Sequence, residues 1–175
     1  MVIRVIVYTK KGEDGLVNVK GILDRLCGED RFFDYYTTFD NDTSRMSGKA
    51  RWGNLPAISK VDSKEGKKLI DEGMEKTKRD FLEGLKIVRR VLKKKTDINI
   101  FKSRYDKDMV KHRFWKLGQY EGDCVWVYDN DGSGIREFKH LKNVLNKWEC
   151  LYEKRKKENP YKGMDIWVVP VDVHY

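Results

Sequence analysis

The longest periodic pattern in the chain covers residues 62–95 and predicts one long amphipathic helix. Its apolar or neutral positions recur at the spacing of a single helix face. They are Leu69, Ile70, Met74, Thr77, Phe81, Leu85, Val88 and Leu92. Asp62 is predicted to cap the helix, with Glu65 following as in a capping box. Such a stripe needs a packed surface to cover it, so the helix constrains how the other elements are arranged.

Strands and shorter helices are predicted on both sides of this pattern. Residues 2–9 favour a strand because they are mostly β-branched or aromatic. Residues 16–27 have helical spacing, and Gly28 follows as a glycine C-cap. Further strands are predicted at residues 31–39, 97–101 and 165–173, a second amphipathic helix at residues 141 to about 158, and loops at residues 10–15 and 43–59. Pro170, inside the last strand, indicates an edge position or a bend.

A β-hairpin is predicted over residues 122–139. Residues 123–128 are rich in β-branched and aromatic residues, which favours a half-buried strand. Residues 129–134 concentrate aspartate, asparagine, serine and glycine, the residues of turns. Residues 135–139 then form the returning strand.

The register of this hairpin decides which side chains meet. Glu137 and Lys139 share one face, since side chains alternate along a strand. Asp123 joins them if Val125 stands opposite Glu137. It lies on the other face if Trp126 stands there instead. The length of the turn allows both registers.

The charge balance favours a polyanionic partner. Lysine and arginine number 37 against 28 aspartates and glutamates, a formal net charge of +9. Basic side chains contact phosphates, and aromatic side chains stack on bases, so DNA or RNA is the expected partner. The predicted contact residues are Arg45, Lys49, Arg51, Trp52, Lys86, Arg89, Arg90, Lys93, Lys94 and Arg113. A basic balance is also common in lysine-rich proteomes, and a basic helix face is often simply solvated.

Zinc-finger, disulfide-framework and membrane classes lack their sequence signatures. Cys27, Cys124 and Cys150 are far apart, and the three histidines have no ligand spacing. The apolar runs are too short to cross a bilayer. We therefore expect a single-domain cytoplasmic protein over residues 1–175, without a membrane partner.

From residue 62 onward the predicted order is helix, strand, hairpin, helix, strand. This order resembles the core of the PD-(D/E)xK nuclease superfamily over residues 62–173. Asp123 matches that family's metal-binding aspartate, Glu137 its second carboxylate and Lys139 its lysine. The resemblance implies an α/β fold: a mixed β-sheet flanked by helices, restriction-endonuclease-like, with residues 1–60 as an N-terminal extension.

The same resemblance implies an activity. Asp123 and Glu137 would hold Mg²⁺, because a hard cation prefers carboxylate oxygens. Lys139 would orient the attacking water or stabilise developing negative charge. The implied reaction is cleavage of a phosphodiester in DNA or RNA.

Two other interpretations of these residues stay open. Residues 129–137 resemble the first half of an EF-hand-type calcium loop, although His140 stands where that loop has a bidentate glutamate. Alternatively the chain is a non-catalytic basic adaptor for nucleic acid or an acidic protein, and its carboxylates form ordinary surface ion pairs. The pattern leaves open whether the chain is a monomer or a homodimer.

Overall fold

The computed structural model describes residues 1–29, 32–40, 44–102, 125–128, 134–135 and 164–174, of which 125–128 and 134–135 are described by their backbone. Its strands are β1 (Val2–Thr9), β2 (Tyr35–Thr38), β3 (Ser59–Lys60), β4 (Val125–Tyr128), β5 (Gly134–Ile135) and β6 (Asp165–His174). Its helices are α1 (Gly12–Gly28), α2 (Lys49–Trp52), α3 (Lys64–Lys94) and α4 (Asp97–Lys102). The expected mixed α/β architecture is confirmed.

β1 lies at the centre of the sheet, whose described strands follow the order β2-β6-β1-β4-β5, with β3 also paired to β6. β1 runs antiparallel to β6 from Val2, opposite Asp172, to its other end. It runs parallel to β4, with Arg4 opposite Val125. All of β1 is buried, as is typical of a strand covered on both faces. Residues 1–60 therefore supply the central strand and do not form an extension outside the sheet.

Helix α1 covers one face of the sheet, and the first half of α3 covers the other. The first layer is built from Ile3, Val5, Val7, Val19, Leu23, Leu26, Phe33, Val169, Val171 and Val173. The second is built from Ile6, Leu69, Ile70 and Val168, with Leu55 and Met74 packed against them. Alternate residues of β1 and β6 serve opposite layers, because side chains alternate across a strand.

Helix α3 confirms the long predicted helix, with two corrections. The cap is Ser63, whose Oγ accepts a hydrogen bond from the Gly66 N–H at 3.0 Å; it is not Asp62. Leu92, expected in the apolar stripe, is 51% exposed, whereas Val91 is 2% exposed. Glycines also occupy the buried side. The apolar stripe predicted from the sequence did not count these glycines, and it was therefore displaced from the side of the helix that is buried.

Several other boundaries also differ from expectation. α1 begins at Gly12, inside the predicted loop at residues 10–15; Glu13 and Asp14 then lie in its first turn, where acids stabilise a helix. Glu29, after Gly28, keeps a right-handed conformation, so the expected glycine cap is wrong.

The remaining differences concern short segments. Residues 97–101 belong to α4 and not to a strand, because the Ile100 N–H bonds locally to the Thr96 carbonyl; a short apolar run has no decisive period. The predicted strand at residues 31–39 is reduced to β2, and the predicted loop at 43–59 contains α2 and reaches β3. The helix predicted at residues 141–158 lies outside the described residues.

Pro170 lies in an interior strand, so the predicted edge position is wrong. β6 pairs with β1 on one side and with β2 and β3 on the other. On that second side, β3 pairs as far as Val168 and β2 begins at Val171. Pro170 falls between these two short ladders, where a residue without an N–H is tolerated.

The start of α3 generates a stability prediction. A Cβ on Gly66 would overlap the Lys60 carbonyl, whose carbon would lie 2.8 Å away. Gly66→Ala should therefore lower the free energy of unfolding by about 1–3 kcal/mol. Gly21 of α1 is the matched control, since no described atom would lie within 4 Å of a Cβ added there. Gly21→Ala should raise the same quantity by about 0.5–1 kcal/mol through helix propensity.

Urea unfolding followed by circular dichroism measures both variants. A Gly66→Ala protein as stable as wild type would contradict the close contact between the α3 N-terminus and the β3 backbone.

Candidate nucleic-acid interface

The residues expected to perform catalysis, Asp123, Glu137 and Lys139, lie outside the described residues, as do Arg113 and most of the calcium-loop segment 129–137. Within the described ranges, no group of three or more histidine, cysteine, aspartate or glutamate side chains is arranged to hold a metal ion. The structure therefore describes the residues of α3 and of the α2 segment that are expected to contact nucleic acid. It also describes the central part of the hairpin backbone.

The described part of the hairpin has one register. Val127 of β4 pairs with Ile135 of β5, and Tyr128 pairs with Gly134. Partners in an antiparallel ladder step in opposite directions. The two described pairs agree with the first of the two predicted registers and not with the one shifted by one residue; Glu137 itself lies outside the described residues.

The charge on α3 is distributed unevenly along its length. Residues 64–80 carry six basic and five acidic side chains, whereas residues 81–94 carry five basic and one acidic. In the first part, cations lie beside acids: Lys68 Nζ is 3.8 Å from Glu72 Oε1 and Lys78 Nζ is 3.8 Å from Glu75 Oε1. The first part is thus nearly neutral, and the second is strongly basic.

The five cations of the second part form one exposed surface, which we call the basic stripe: Lys86, Arg89, Arg90, Lys93 and Lys94. Their spacing of three and four residues places them on neighbouring turns of one helix side. Among the described residues, none of the five has an acidic partner within 4.0 Å. On the opposite side of the helix, Val88 and Val91 are buried.

A second basic surface surrounds α2. Arg45, Arg51 and Trp52 are exposed, and the Arg51 guanidinium lies 5.1 Å from the centre of the Trp52 ring. No acid occurs between Ser44 and Val61. Arginine stacked on indole is a favourable cation–π arrangement.

The α2 segment is held to the sheet by a buried carboxylate, Asp172. Asp172 Oδ2 accepts a hydrogen bond from the Gly48 N–H at 3.0 Å, and Trp52 donates another to the carboxylate. The Met1 ammonium lies 3.1 Å from Oδ1, and His174 Nε2 lies 3.3 Å from Oδ2. We call these five residues the Asp172 network. Its donors compensate for the loss of water around a buried charge.

The network lowers the pKa of Asp172. Burial taken alone raises the pKa of a carboxyl, but the donors from Gly48, the Met1 ammonium and Trp52 outweigh it. The carboxylate is therefore the favoured form, and it can accept all of these bonds at neutral pH.

The prediction from sequence included Arg45, Lys49, Arg51 and Trp52 but missed Asp172. A signal was available, because an aspartate between Val171 and Val173 interrupts an apolar strand, and a buried polar residue is more informative than an exposed one. Its partners could not be inferred, since Gly48 is 124 positions away.

The Asp172 network generates a prediction about pH. Because the pKa of Asp172 is depressed in the folded state, its stabilisation is present above about pH 3.9, the ordinary carboxyl value, and is lost as the pH falls through the folded value. Asp172→Asn should lower the free energy of unfolding by about 1–3 kcal/mol near pH 7, and the deficit should shrink near pH 3. Asp71→Asn on the exposed side of α3 is the control, with little effect expected.

Urea titrations at the two pH values measure these differences. A deficit of the same size at both would show that the charge of Asp172 is not what stabilises the fold.

Comparison with known proteins places the chain in a family without adding a function. No helix among the described residues is long and apolar enough to cross a membrane. Neither a curated protein nor a solved structure matches the chain. Over residues 1–175 it matches the family described as a domain of unknown function, DUF7995, and it belongs to that family.

Proposed function

We propose that this protein binds nucleic acid through the basic stripe of α3. The observation that carries the proposal is five exposed cations on one helix side without an acidic partner among the described residues, next to a helix half in which the charges nearly balance. Like charges three and four residues apart repel each other on a helix. The helix macrodipole offsets this cost in the last turn only. A bound polyanion relieves the repulsion and releases its counterions.

The dimensions of the stripe suit a phosphate backbone. From Lys86 to Lys94 the helix rises about 12 Å. A nucleic-acid duplex carries a phosphate about every 3.4 Å along each strand. The stripe can therefore contact several phosphates at once, through side chains that already project from one rigid element.

Substitution of the stripe tests this binding. Replacing Arg90, Lys93 and Lys94 together with glutamine should weaken binding to a DNA or RNA duplex by about tenfold or more and reduce the slope of log K against log salt by about 2–3. The matched control replaces Lys67, Lys68 and Lys78 with glutamine. It removes the same charge from the balanced half of α3 and should change affinity by less than about twofold.

Fluorescence anisotropy at salt concentrations between about 50 and 200 mM measures both quantities. Equal losses in the two variants would show a response to net charge only. Equally effective competition by polyglutamate would indicate an acidic protein as the partner. Either result would contradict the assignment of the stripe to nucleic acid.

We further propose that the bound nucleic acid is cleaved at the hairpin in a Mg²⁺-dependent reaction. The described register supports this, because a ladder continued in the same step from Val127–Ile135 would set Val125 opposite Glu137 and Asp123 opposite Lys139. Arg4 of β1 pairs with Val125 of β4 on the other side, so it would lie in the same cross-strand row. The chemistry of the hairpin residues also supports it, as does their resemblance to the PD-(D/E)xK pattern.

Each hairpin residue has a separate role in this proposal. Asp123 and Glu137 would hold Mg²⁺ through carboxylate oxygens, the ligands that this ion prefers. When bound, the ion would polarise the phosphate and acidify a coordinated water. Lys139 would stabilise negative charge developing on the phosphate oxygens.

Cleavage is tested with Asp123→Asn and Lys139→Ala on a mixed panel of DNA and RNA. Each variant should lose about a hundredfold or more of the Mg²⁺-dependent nicking rate, because an electrostatic contribution of this kind is worth several kcal/mol. Binding should be retained. Asp131→Asn in the predicted turn is the control and should keep the wild-type rate.

Nicking that persists in both variants would exclude this site, and nicking lost in Asp131→Asn would point to the turn. Binding without nicking by wild type would support the non-catalytic adaptor.

A further inference from the structure

Two aromatic rings with solvent-accessible surface are tied to the same buried carboxylate. Tyr35 stacks on His174 with ring centres 4.1 Å apart and planes inclined by 10°, and His174 Nε2 lies 3.3 Å from Asp172 Oδ2. Trp52 donates a hydrogen bond to Asp172. Tyr35 is 48% exposed and Trp52 is 37% exposed. Both rings are therefore oriented by contacts with the sheet while part of their surface remains in solvent.

The charged side chains of the segment that carries Trp52 are all basic. The Arg51 guanidinium lies over the Trp52 ring, and Arg45 is exposed in the same segment. The absence of any acid between Ser44 and Val61 leaves the segment with a uniform positive charge. Aromatic rings interleaved with cations are typical of protein surfaces that bind single-stranded nucleic acids.

The rings lie on the face of the sheet that the first half of α3 covers. Asp172 and Val168 are separated by four residues on β6, so they lie on the same face of the sheet. Val168 packs against Leu69 and Ile70 of α3, together with Leu55 from the segment that follows α2. The α2 segment and the first half of α3 therefore lie on the same face of the sheet.

We propose that Tyr35, Arg51 and Trp52, which we call the stacking platform, bind unpaired bases, and that the preferred ligand is single-stranded nucleic acid. The inference rests on the proposed function and names its substrate class. Bases in a duplex are stacked on one another and expose only their edges, whereas the bases of a single strand can stack on protein rings. Rings whose orientation is already held by Asp172 and His174 lose less freedom on binding.

The experiment compares oligothymidylate of about 16 nucleotides with a duplex of equal length, each titrated by anisotropy at one salt concentration. Trp52→Leu should weaken binding of the single strand about tenfold and change duplex binding less than twofold. Tyr35→Leu should act in the same direction. Phe101→Leu, on the exposed side of α4, removes an exposed aromatic elsewhere and should change neither affinity.

Trp52→Phe separates stacking from anchoring, because phenylalanine keeps a ring but cannot donate to Asp172. Stacking predicts that Trp52→Phe retains most of the affinity for the single strand. Equal losses in Trp52→Leu and Trp52→Phe, or parallel losses for single strand and duplex, would overturn the platform.

The two proposals fail in different ways. If the substitutions in the α3 stripe leave all binding unchanged, the proposed function is wrong. If those substitutions weaken binding but Trp52→Leu leaves the ratio of single-strand to duplex affinity unchanged, only the stacking platform is excluded.

Discussion

The pairing of β1 with β6 is the contact on which the described structure depends. It joins the two ends of the chain, and the Met1 ammonium donates to the Val173 carbonyl, 172 positions away. Closing so long a loop costs conformational entropy, although that cost grows slowly with length. It is offset by rows of fully buried aliphatic residues such as Val5 and Val169, each contributing about 1.5–3 kcal/mol. The two helical layers pack on the faces that this ladder creates.

Two buried charges on the same ladder position the surfaces beside it. Arg4 donates from Nε to the Leu69 carbonyl at 3.1 Å and from Nη1 to the Val2 carbonyl at 2.7 Å, which fixes the start of α3 against β1. Asp172 holds the α2 segment through Gly48 and Trp52. A buried charge is costly unless its hydrogen bonds are satisfied. Each therefore favours one arrangement of the segment that satisfies it.

Helix α3 consists of a half that packs on the sheet and a half that we propose binds nucleic acid. The balanced half of α3 lies over the sheet, where Leu69 and Ile70 are buried and ion pairs occupy the outer side. The half that carries the basic stripe has little acidic charge near it in the sequence. Functional side chains presented by a rigid helix and by an anchored loop bind with a smaller entropic cost than side chains on a free loop. The stripe and the stacking platform therefore form two parts of one hypothesis, the first for phosphates and the second for bases.

Local patterns along the chain were sufficient to predict β1, the long helix α3, β6 and the mixed α/β class. Hydrophobic period and β-propensity act over a few residues, so they can be recognised without knowledge of the tertiary structure. They also identified the basic side chains of the stripe and of the α2 segment. They failed where the period was short or the partner was distant: residues 97–101, Pro170, the exposed Leu92 and the network around Asp172. The gap between β2 and β3 that accommodates Pro170, the central place of β1 and the donors around Asp172 all arise from segments far apart in the chain. Such contacts depend on which strands pair and in what register, and no local pattern encodes that choice.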